Sequence, residues 1–253
     1  MEPRPATLIT GASAGLGAEF ARQCARRSDE VVLIARRADR LQALAAEIGD
    51  KAHVIPADLS EPKMGTRVVA EAIAKGLWVK TLINNAGFGL AGKFHELPLA
   101  RQLEMIDLNI RALTNLTFAA LNGMTANRSG AILNVASTAA FQAGPGMAVY
   151  FATKAFVLSF SEALHEELRH EGIKVSALCP GPTATEFGEV AGFARPIPKF
   201  AVADAPSVVR AGLKGLERNQ AVVIPGVLNK LSGQGHRLLP RAALRRIVAA
   251  VKY

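Results

Sequence analysis

The sequence predicts a doubly wound α/β fold, a parallel sheet of about seven strands with helices on both faces. Short runs rich in valine, isoleucine and leucine alternate with longer segments of helical character along the 253 residues. Several of these runs are apolar at nearly every position, as expected for strands that are covered on both faces. Alternation of strand and helix makes each connection a right-handed crossover, which leaves the strands parallel in one sheet.

Seven strands and six helices follow from this alternation. Three of the helices are expected to begin at Pro62, Pro98 and Pro206, because a first helical turn tolerates the N–H that proline lacks. The predicted strands are 6–10, 30–35, 52–56, 81–84, 131–136, 173–178 and 221–224. The predicted helices are 15–28, 38–48, 62–76, 98–127, 149–171 and 206–219.

The chain is expected to form one large domain over residues 1–228, followed by a basic amphipathic extension over 229–253. No linker or repeat divides the first part. The segment from about 186 to 205 is rich in glycine, proline and alanine and has little periodicity. We expect this segment to be a lid inserted after the sixth strand.

The net charge of +9 is concentrated in the last quarter of the chain. Residues 1–190 hold 19 basic and 19 acidic side chains, whereas residues 191–253 hold 11 basic and two acidic ones. A helix starting at Pro240 would align Leu244, Ile247, Val248 and Val251 in one apolar stripe. It could dock on its own domain or a sister subunit, touch an anionic membrane surface weakly, or recognise an acidic substrate carrier. Nucleic-acid binding is not expected, because no aromatic residues interleave with the charges.

The sequence favours a cytoplasmic location, with a position peripheral to a membrane, through the basic extension, as the alternative. The first residues have no apolar core typical of a signal peptide. Cys24 and Cys179 are far apart in different predicted elements, which favours two buried thiols over a disulfide. The uncharged stretch 129–153 contains polar residues and a Gly-Pro-Gly break, so we expect it to be buried in protein and not in a bilayer.

A glycine-rich turn, residues 10–17, joins the first strand to the first helix and has the features of a phosphate site. Helix N-termini present unpaired N–H groups and partial positive charge, which stabilise a phosphate. Gly11, Gly15 and Gly17 would let the backbone turn tightly, approach the phosphate and pack on the strand, with Ser13 and Leu16 beside them. The alternative is an ordinary glycine-rich turn.

A second pattern, Tyr150 and Lys154 with Ser137 upstream, points to proton transfer. The tyrosine and the lysine are four residues apart on a predicted helix and therefore share one face. A phenol is a poor base at neutral pH, since its ordinary pKa is near 10. A neighbouring ammonium group favours the phenolate form, which makes the pair suited to acid–base chemistry.

Together the two patterns resemble the short-chain dehydrogenase/reductase family, whose motifs are TGxxxGxG and Ser…YxxxK. The resemblance covers roughly residues 5–225 and includes Asn84–Gly87, similar to the family's NNAG, and 180–185, similar to its PGxxxT. It implies a Rossmann-like domain and an NAD(P)-dependent enzyme acting on CH–OH and C=O groups. It also implies assembly as homodimers or homotetramers.

The resemblance assigns roles to residues that bind the cofactor. Asp58 would accept from the adenine amine, Asn85, Ala86 and Gly87 would lie against the adenosine, and Thr185 would bond the nicotinamide carboxamide. Tyr150 and Lys154 would contact the nicotinamide ribose. The other expected cofactor contacts come from Pro180, Gly181 and Thr183, which belong with Thr185 to the segment that is similar to PGxxxT.

Arg36 and Arg37, which follow the second strand, favour NADP(H) over NAD(H). Enzymes that prefer NAD usually have a carboxylate here, which accepts from the ribose 2′-hydroxyl group. Two guanidinium groups suit a 2′-phosphate instead, and we expect Arg36 to be the more important. The alternative is a solvated basic turn.

The resemblance also implies the catalytic roles. Tyr150 would donate a proton to the substrate oxygen, Ser137 would hydrogen-bond that oxygen, and Lys154 would fix the cofactor ribose. Asn109 would support a water that relays protons to Lys154. Flanking Ile106, Leu108 and Ile110 favour burial of this asparagine, although a solvated face is the alternative.

The lid favours a small-molecule carbonyl or alcohol substrate that is hydrophobic. Its apolar residues are Phe187, Val190, Phe193, Ile197, Phe200 and Val202, with Phe88 and Phe141 nearby. Two alternatives stay open: an NAD-linked alcohol dehydrogenase of the same family, and a non-catalytic cofactor-sensing or peripheral membrane binding protein. No metal site is expected, because His165 and His170 are five residues apart and do not share a helix face as HExxH does.

Overall fold

The computed structural model describes residues 3–27, 29–192, 202–227, 229–231 and 240–250. One parallel seven-stranded sheet forms the centre, with strand order β3-β2-β1-β4-β5-β6-β7. The strands are β1 (Arg4–Thr10), β2 (Glu30–Ala35), β3 (Ala52–Pro56), β4 (Leu77–Asn84), β5 (Gly130–Val135), β6 (Ile173–Leu178) and β7 (Val222–Val223). This confirms the predicted doubly wound, Rossmann-like fold.

Helices connect the strands and cover both faces of the sheet. They are α1 (Gly15–Arg26), α2 (Ala38–Ile48), α3 (Met64–Ala74), α4 (Leu99–Ile106), α5 (Leu113–Ala126), α6 (Ala148–Glu167), α7 (Phe187–Ala191), α8 (Ala205–Glu217) and α9 (Arg241–Ala250). A π-helical segment, Asp107–Ala112, joins α4 to α5, and a short 3₁₀ helix, Thr138–Phe141, precedes α6.

The alternation of side chains along each strand divides the core into two layers. Leu8 of β1 packs with Val32 and Leu82 against α3 and α5. Its neighbour Ile9 points to the opposite face and packs with Leu33 against α1, α2 and α8. Because both faces are buried, nearly every strand position must be apolar, which accounts for the sequence pattern.

Strand order reverses beside β1, which creates the crevice of the molecule. The chain runs from β1 outward through β2 to β3, then returns to β4 on the other side of β1. In such sheets the crevice outside the carboxyl ends of the strands at this reversal is the usual ligand site. The glycine-rich turn after β1 and the asparagine segment after β4 therefore meet there.

Several predicted boundaries were wrong. β4 begins at Leu77, four residues before the predicted start, because its first half pairs with β1 at Arg4–Ala6. Helix α3 begins at Met64, since Lys63 has a left-handed backbone (φ 61°). The predicted single helix 98–127 consists of α4, the π-helical segment and α5, which follow one another without a break.

The lid and the basic extension are described only in part. The lid contains the short helix α7 and Val202, whereas the predicted lid residues Phe193, Ile197 and Phe200 lie outside the described residues. In α9, Val248 is buried and Leu244 is partly buried in an apolar cluster with Tyr150 and Phe151. Ile247, predicted in the same stripe, is 53 % exposed, and Val251 lies outside the described residues. The proposed boundary at residue 228 also lies there and stays a prediction.

Candidate active site

The turn after β1 leaves the N-terminus of α1 open to a ligand. Gly11 and Gly15 adopt positive φ angles of 66° and 55°, which glycine reaches without strain. A Cβ atom on Gly17 would lie 2.1 Å from the Gly11 carbonyl oxygen, so only glycine lets α1 approach the strand so closely. No side chain caps α1 at Ala14, and no acidic residue lies in its first turn. The first N–H groups are therefore free to bind phosphate.

The strand ends enclose a cleft of about 950 Å³ that brings together most of the predicted site. Only Gly17 and Asn109 of the predicted residues lie behind its wall. Those that line it are Gly11, Ser13, Gly15, Leu16, Arg36, Arg37, Asp58, Asn85, Ala86, Gly87, Ser137, Tyr150, Lys154, Pro180, Gly181, Thr183 and Thr185. A cleft of this size accommodates a dinucleotide with a small substrate beside it.

Lys154 and Tyr150 lie together on the buried face of α6. The Lys154 Nζ atom is 5.8 Å from the centroid of the Tyr150 ring and donates to the Val135 carbonyl oxygen at 2.8 Å. Burial lowers the pKa of Lys154 to about 8, because the ammonium group is removed from water. The lysine therefore loses its proton far more readily than a surface lysine.

Ser137 follows β5 and faces the same cleft. Its Oγ atom accepts a hydrogen bond from the Ala139 N–H at 3.1 Å, which starts the 3₁₀ helix and orients the side chain. The hydroxyl proton is free to point towards a substrate. Ser137 is thus held by the backbone beside Tyr150.

Asn109 is buried, as predicted, and is held by three hydrogen bonds. Its Nδ2 atom donates to the Phe88 carbonyl oxygen and to Thr153 Oγ1, each at 3.0 Å, and its Oδ1 accepts from the Phe88 N–H at 3.2 Å. The π-helical segment opens the i→i+4 ladder at this point, and such bulges often occur at functional sites. A Cβ atom on Gly87 would lie 2.8 Å from Asn109 Oδ1 and 3.6 Å from Lys154 Nζ.

Two asparagines at the end of β4, Asn84 and Asn85, join neighbouring strands. Asn84 Nδ2 donates to Asn134 Oδ1 on β5 at 2.9 Å. Asn85 Nδ2 donates to the Thr10 carbonyl oxygen at 2.9 Å, and Thr10 Oγ1 accepts from the N–H groups of Asn85 and Ala86. These bonds fix the backbone on which an adenosine would rest.

The two arginines after β2 lie at the mouth of the cleft and are paired with carboxylates. Arg37 donates through Nε and Nη2 to Ser13 Oγ at 3.1 Å, and its Nη1 lies 3.0 Å from Glu186 Oε2. The Arg36 Nη1 atom lies 3.4 Å from Glu104 Oε1 and 3.7 Å from Asp58 Oδ2. Only Arg37 thus contacts the glycine-rich turn directly, whereas the sequence favoured Arg36.

Asp58 and Thr185 are held by local hydrogen bonds. Asp58 Oδ1 accepts from the Ser60 N–H at 3.0 Å and from Ser60 Oγ at 2.6 Å. Thr185 Oγ1 accepts from the Phe187 N–H at 3.3 Å, and the Thr185 side chain packs on Gly15. Both side chains keep polar atoms on the cleft wall.

Sequence reasoning missed three residues that complete the site. Thr153 holds Asn109, Glu104 pairs with Arg36, and Glu186 binds Arg37 and Arg40. Thr153 occupies a variable position of the YxxxK motif, and neither glutamate stands in a motif quoted from the sequence. Glu186 had one usable signal, an isolated acid directly after the predicted Thr185, whereas the contact of Glu104 depends on how α4 lies against β2.

The apolar wall of the cleft comes from several elements. The Phe187 ring lies 5.3 Å from the Tyr150 ring, and Phe88, Met147 and Val190 line the same region. Phe141, expected nearby, lines instead a second cleft of about 970 Å³ between α6 and α9.

The described residues contain neither a membrane-spanning helix nor a cluster of metal ligands. No helix there is long and apolar enough to cross a membrane. Within the same ranges, no three histidine, cysteine, aspartate or glutamate residues are grouped so that they could hold a metal ion. Cys24 and Cys179 are both buried, unpaired thiols.

Comparison with known proteins identifies the family. The short chain dehydrogenase family matches residues 5–192. Sulfoacetaldehyde reductase 2 of Chromohalobacter salexigens is 39 % identical over 184 residues, which cover 71 % of this chain and 73 % of that protein.

Solved structures agree over nearly the whole chain. A short-chain dehydrogenase from Sphingobium yanoikuyae in complex with NADPH superimposes with a TM-score of 0.81 and 37 % identity, over 92 % of this chain and 94 % of that one. The bulky-bulky ketone specific alcohol dehydrogenase from Comamonas testosteroni has a TM-score of 0.76 and 33 % identity, over 92 % and 93 %. The chain therefore belongs to the short-chain dehydrogenase/reductase family and is an NAD(P)-dependent oxidoreductase of alcohol and carbonyl groups.

Proposed function

We propose that this enzyme uses NADP(H) in preference to NAD(H) to interconvert a hydrophobic ketone and a secondary alcohol. One observation carries the proposal: a single cleft holds Tyr150, Lys154 and Ser137 at one end and the arginines Arg36 and Arg37 at the other. The first group suits proton transfer to a carbonyl oxygen, and the second suits a nucleotide 2′-phosphate.

The cofactor would rest on groups that the fold leaves available. The open N-terminus of α1 would bind the pyrophosphate, and Arg37 beside Ser13 would bind the 2′-phosphate together with Arg36. Asp58 would meet the adenine, while 85–87 would lie under the adenosine. Thr185 would bond the carboxamide, and the backbone of Pro180, Gly181 and Thr183 would border the nicotinamide.

The catalytic residues would handle the proton. Bound nicotinamide supplies or accepts the hydride. During reduction Tyr150 Oη would donate its proton to the substrate oxygen, which Ser137 Oγ would also hydrogen-bond as negative charge develops. Lys154 would stabilise the phenolate that results and hold the nicotinamide ribose. Asn109 would hold a water that returns a proton towards Lys154, whose lowered pKa suits that exchange.

The cleft wall supports a hydrophobic substrate. Phe88, Met147, Phe187 and Val190 surround the space next to Tyr150. A carbonyl compound with bulky apolar groups would bury them against these side chains, which favours binding. The similarity to a dehydrogenase specific for bulky ketones agrees with that preference.

The organisation around this site is proposed as well. Residues 1–228 would form the catalytic domain, with the lid at about 186–205, and 229–253 would form an extension that docks on it through α9. We propose a homodimer or homotetramer in the cytoplasm, where two free buried thiols are typical. An NAD-linked enzyme is the alternative that the cofactor experiment addresses.

The experiment is direct binding of NADPH and NADH, followed by cofactor fluorescence, to the wild type and to an Arg36→Ser/Arg37→Ser variant. Each charge-assisted contact to phosphate is worth about 1.5–3 kcal/mol, so the variant, which loses both arginines, should lose at least about 100-fold in NADPH affinity. Its NADH affinity should stay within about twofold, because NADH carries no 2′-phosphate.

Arg169→Ser is the control, since this exposed arginine pairs with Glu166 and does not line the cleft. It should bind both cofactors as the wild type does. Equal affinity of the wild type for NADPH and NADH, unchanged in the double variant, would contradict the proposed preference and favour the NAD-linked alternative.

A further inference from the structure

Glu186 bridges two arginines at the mouth of the cofactor cleft. Its Oε2 atom lies 3.0 Å from Arg37 Nη1, and its Oε1 lies 2.5 Å from Arg40 Nη1. These hydrogen bonds lower the pKa of the Glu186 carboxyl group, the one from Arg40 contributing most and the one from Arg37 next, so the group is ionised. A carboxylate held between two guanidinium groups occupies them in the way that a phosphate would.

The positive charge at this mouth is already balanced by carboxylates. Arg36 pairs with Asp58 and Glu104, while Arg37 and Arg40 share Glu186. Three guanidinium groups thus face three carboxylates among the described residues. An arriving 2′-phosphate must displace one of these carboxylates or accept its repulsion at close range.

Of the three carboxylates, Glu186 is the one able to leave. Asp58 is tied to Ser60 by two hydrogen bonds, and Glu104 lies in the regular helix α4, where it also pairs with Arg101. Glu186 lies just before the five-residue helix α7, and its side chain is 42 % exposed. Its bonds to the two arginines are its only ion pairs to the part of the chain that the structure describes.

We propose that Glu186 is a built-in competitor of the cofactor 2′-phosphate, and that it sets how strongly the enzyme prefers NADPH. This inference rests on the proposed NADP preference and adds a residue that opposes it. In the free enzyme Glu186 neutralises Arg37 and Arg40. When the phosphate binds Arg37, Glu186 is displaced into solvent, and the lost ion pairs subtract from the affinity for NADPH but not for NADH.

Glu186 is directly connected to residues that lie next to Tyr150. Phe187 follows Glu186 directly, and its ring lies 5.3 Å from the Tyr150 ring. The Val190 N–H donates to the Glu186 carbonyl oxygen at 3.0 Å, so the same residue starts α7. The competitor is therefore attached to the wall of the substrate region.

The test measures the dissociation constants of NADPH and NADH for the wild type, Glu186→Gln and Glu189→Gln. Glutamine keeps the size of the side chain but loses its charge. Exposed ion pairs contribute modestly, so Glu186→Gln should bind NADPH about two- to tenfold more tightly. NADH should bind within about twofold of the wild type. 2′-AMP and 5′-AMP serve as further probes, and only 2′-AMP should show the gain.

Glu189→Gln is the matched control for bulk charge. Glu189 lies in α7, lines the same cleft and forms no ion pair with a residue in the described ranges, so this variant should bind NADPH as the wild type does. An equal gain in NADPH affinity in both variants, or no gain in Glu186→Gln, would overturn the proposal that Glu186 competes with the 2′-phosphate. Either result would leave a wild-type preference for NADPH intact. A wild type that binds both cofactors alike would overturn the NADP preference itself, and the competitor with it.

Discussion

At the scale of single residues, the burial of Lys154 lowers the stability of the folded protein. This cost accompanies the role in proton transfer that we propose for the residue. The residue is 6 % exposed, and within the described part of the chain its Nζ atom has one hydrogen-bond partner, the Val135 carbonyl oxygen. Burying an ammonium group without a counter-charge is unfavourable, which is why its pKa falls from 10.5 to about 8. The folded protein therefore carries a penalty at neutral pH that a surface lysine would not cause.

Replacing this lysine should stabilise the cofactor-free protein while it destroys activity. A fall in pKa from 10.5 to about 8 corresponds to roughly 3 kcal/mol. Because Val135 loses its donor, we expect Lys154→Met to raise the free energy of unfolding at pH 7 by about 1–2 kcal/mol. Urea denaturation measures this difference.

The gain in stability of Lys154→Met over the wild type should fall as the pH rises. Below about pH 8 the lysine is charged in both states, so the full penalty applies. Between about pH 8 and 10.5 the unfolded chain binds more protons than the folded protein, so wild-type stability rises relative to the variant. The gain should shrink over this range. Lys174→Met, which removes an exposed lysine that also donates to a carbonyl oxygen, is measured beside it as the comparison for burial. A gain in Lys154→Met that is constant with pH contradicts the account.

The residues differ in how far the sequence could predict them. Tyr150, Lys154 and the glycines could be predicted because each has a side-chain or backbone property that its role demands. The relative importance of Arg36 and Arg37 could not, since it depends on which guanidinium group reaches Ser13. The pairing of Arg37 with Glu186 joins residues 149 positions apart, and no local pattern encodes it.

At the scale of elements, the π-helical segment between α4 and α5 positions Asn109. The wide turn of this segment places the asparagine against the loop at Phe88. There its side chain accepts from the N–H group of Phe88 and donates to the carbonyl oxygen of the same residue. The sequence predicted burial of Asn109 but not the widened turn, because helical periodicity continues on both sides of it. The tertiary contact with Phe88 and Thr153 accounts for the local distortion.

Loss of this asparagine should affect both folding and turnover. Asn109→Ala leaves buried polar groups of Phe88 and Thr153 without their partner, so we expect a loss of about 2–3 kcal/mol in the free energy of unfolding. Turnover at saturating cofactor should fall by at least about tenfold, because the proposed water loses its support. Thermal denaturation and steady-state kinetics measure the two effects.

Asn115→Ala is the control from the next helix. Among the described residues, Asn115 bonds only to Thr66, near the surface, so its loss should cost less than about 1 kcal/mol and leave turnover unchanged. An Asn109→Ala enzyme with turnover within twofold of the wild type would contradict a role for Asn109 in proton transfer.

The elements at the lid and the C-terminus are those for which sequence reasoning was weakest. A five-residue helix such as α7 is too short for a periodic signal, and its place is set by contacts with Tyr150 and Arg37. Within the predicted stripe of α9, Val248 is buried and Ile247 is 53 % exposed, because the helix buries a narrower face than the apolar pattern offered.

At the scale of the whole molecule, the order of strands brings the two ends of the chemistry together. The glycine-rich turn after β1, the arginines after β2 and helix α6 with Tyr150 and Lys154 are far apart in sequence. They share one cleft because parallel strands place all their carboxyl ends on one edge of the sheet. This arrangement could be predicted from strand–helix alternation alone, whereas the substrate could not, because fold does not determine it.

The measurement that tests the account most directly is NADPH-dependent reduction of aryl and branched aliphatic ketones by the wild type and Tyr150→Phe. We expect the wild type to consume NADPH with at least one bulky ketone. The variant should lose about 100- to 10,000-fold in turnover, because the proton donor is gone, while NADPH binding stays within about twofold. Tyr253→Phe alters the chain's other tyrosine and should retain full activity. A wild type that binds NADPH but neither reduces any ketone nor oxidises the matching alcohols with NADP⁺, or a Tyr150→Phe enzyme with wild-type turnover, would contradict the account.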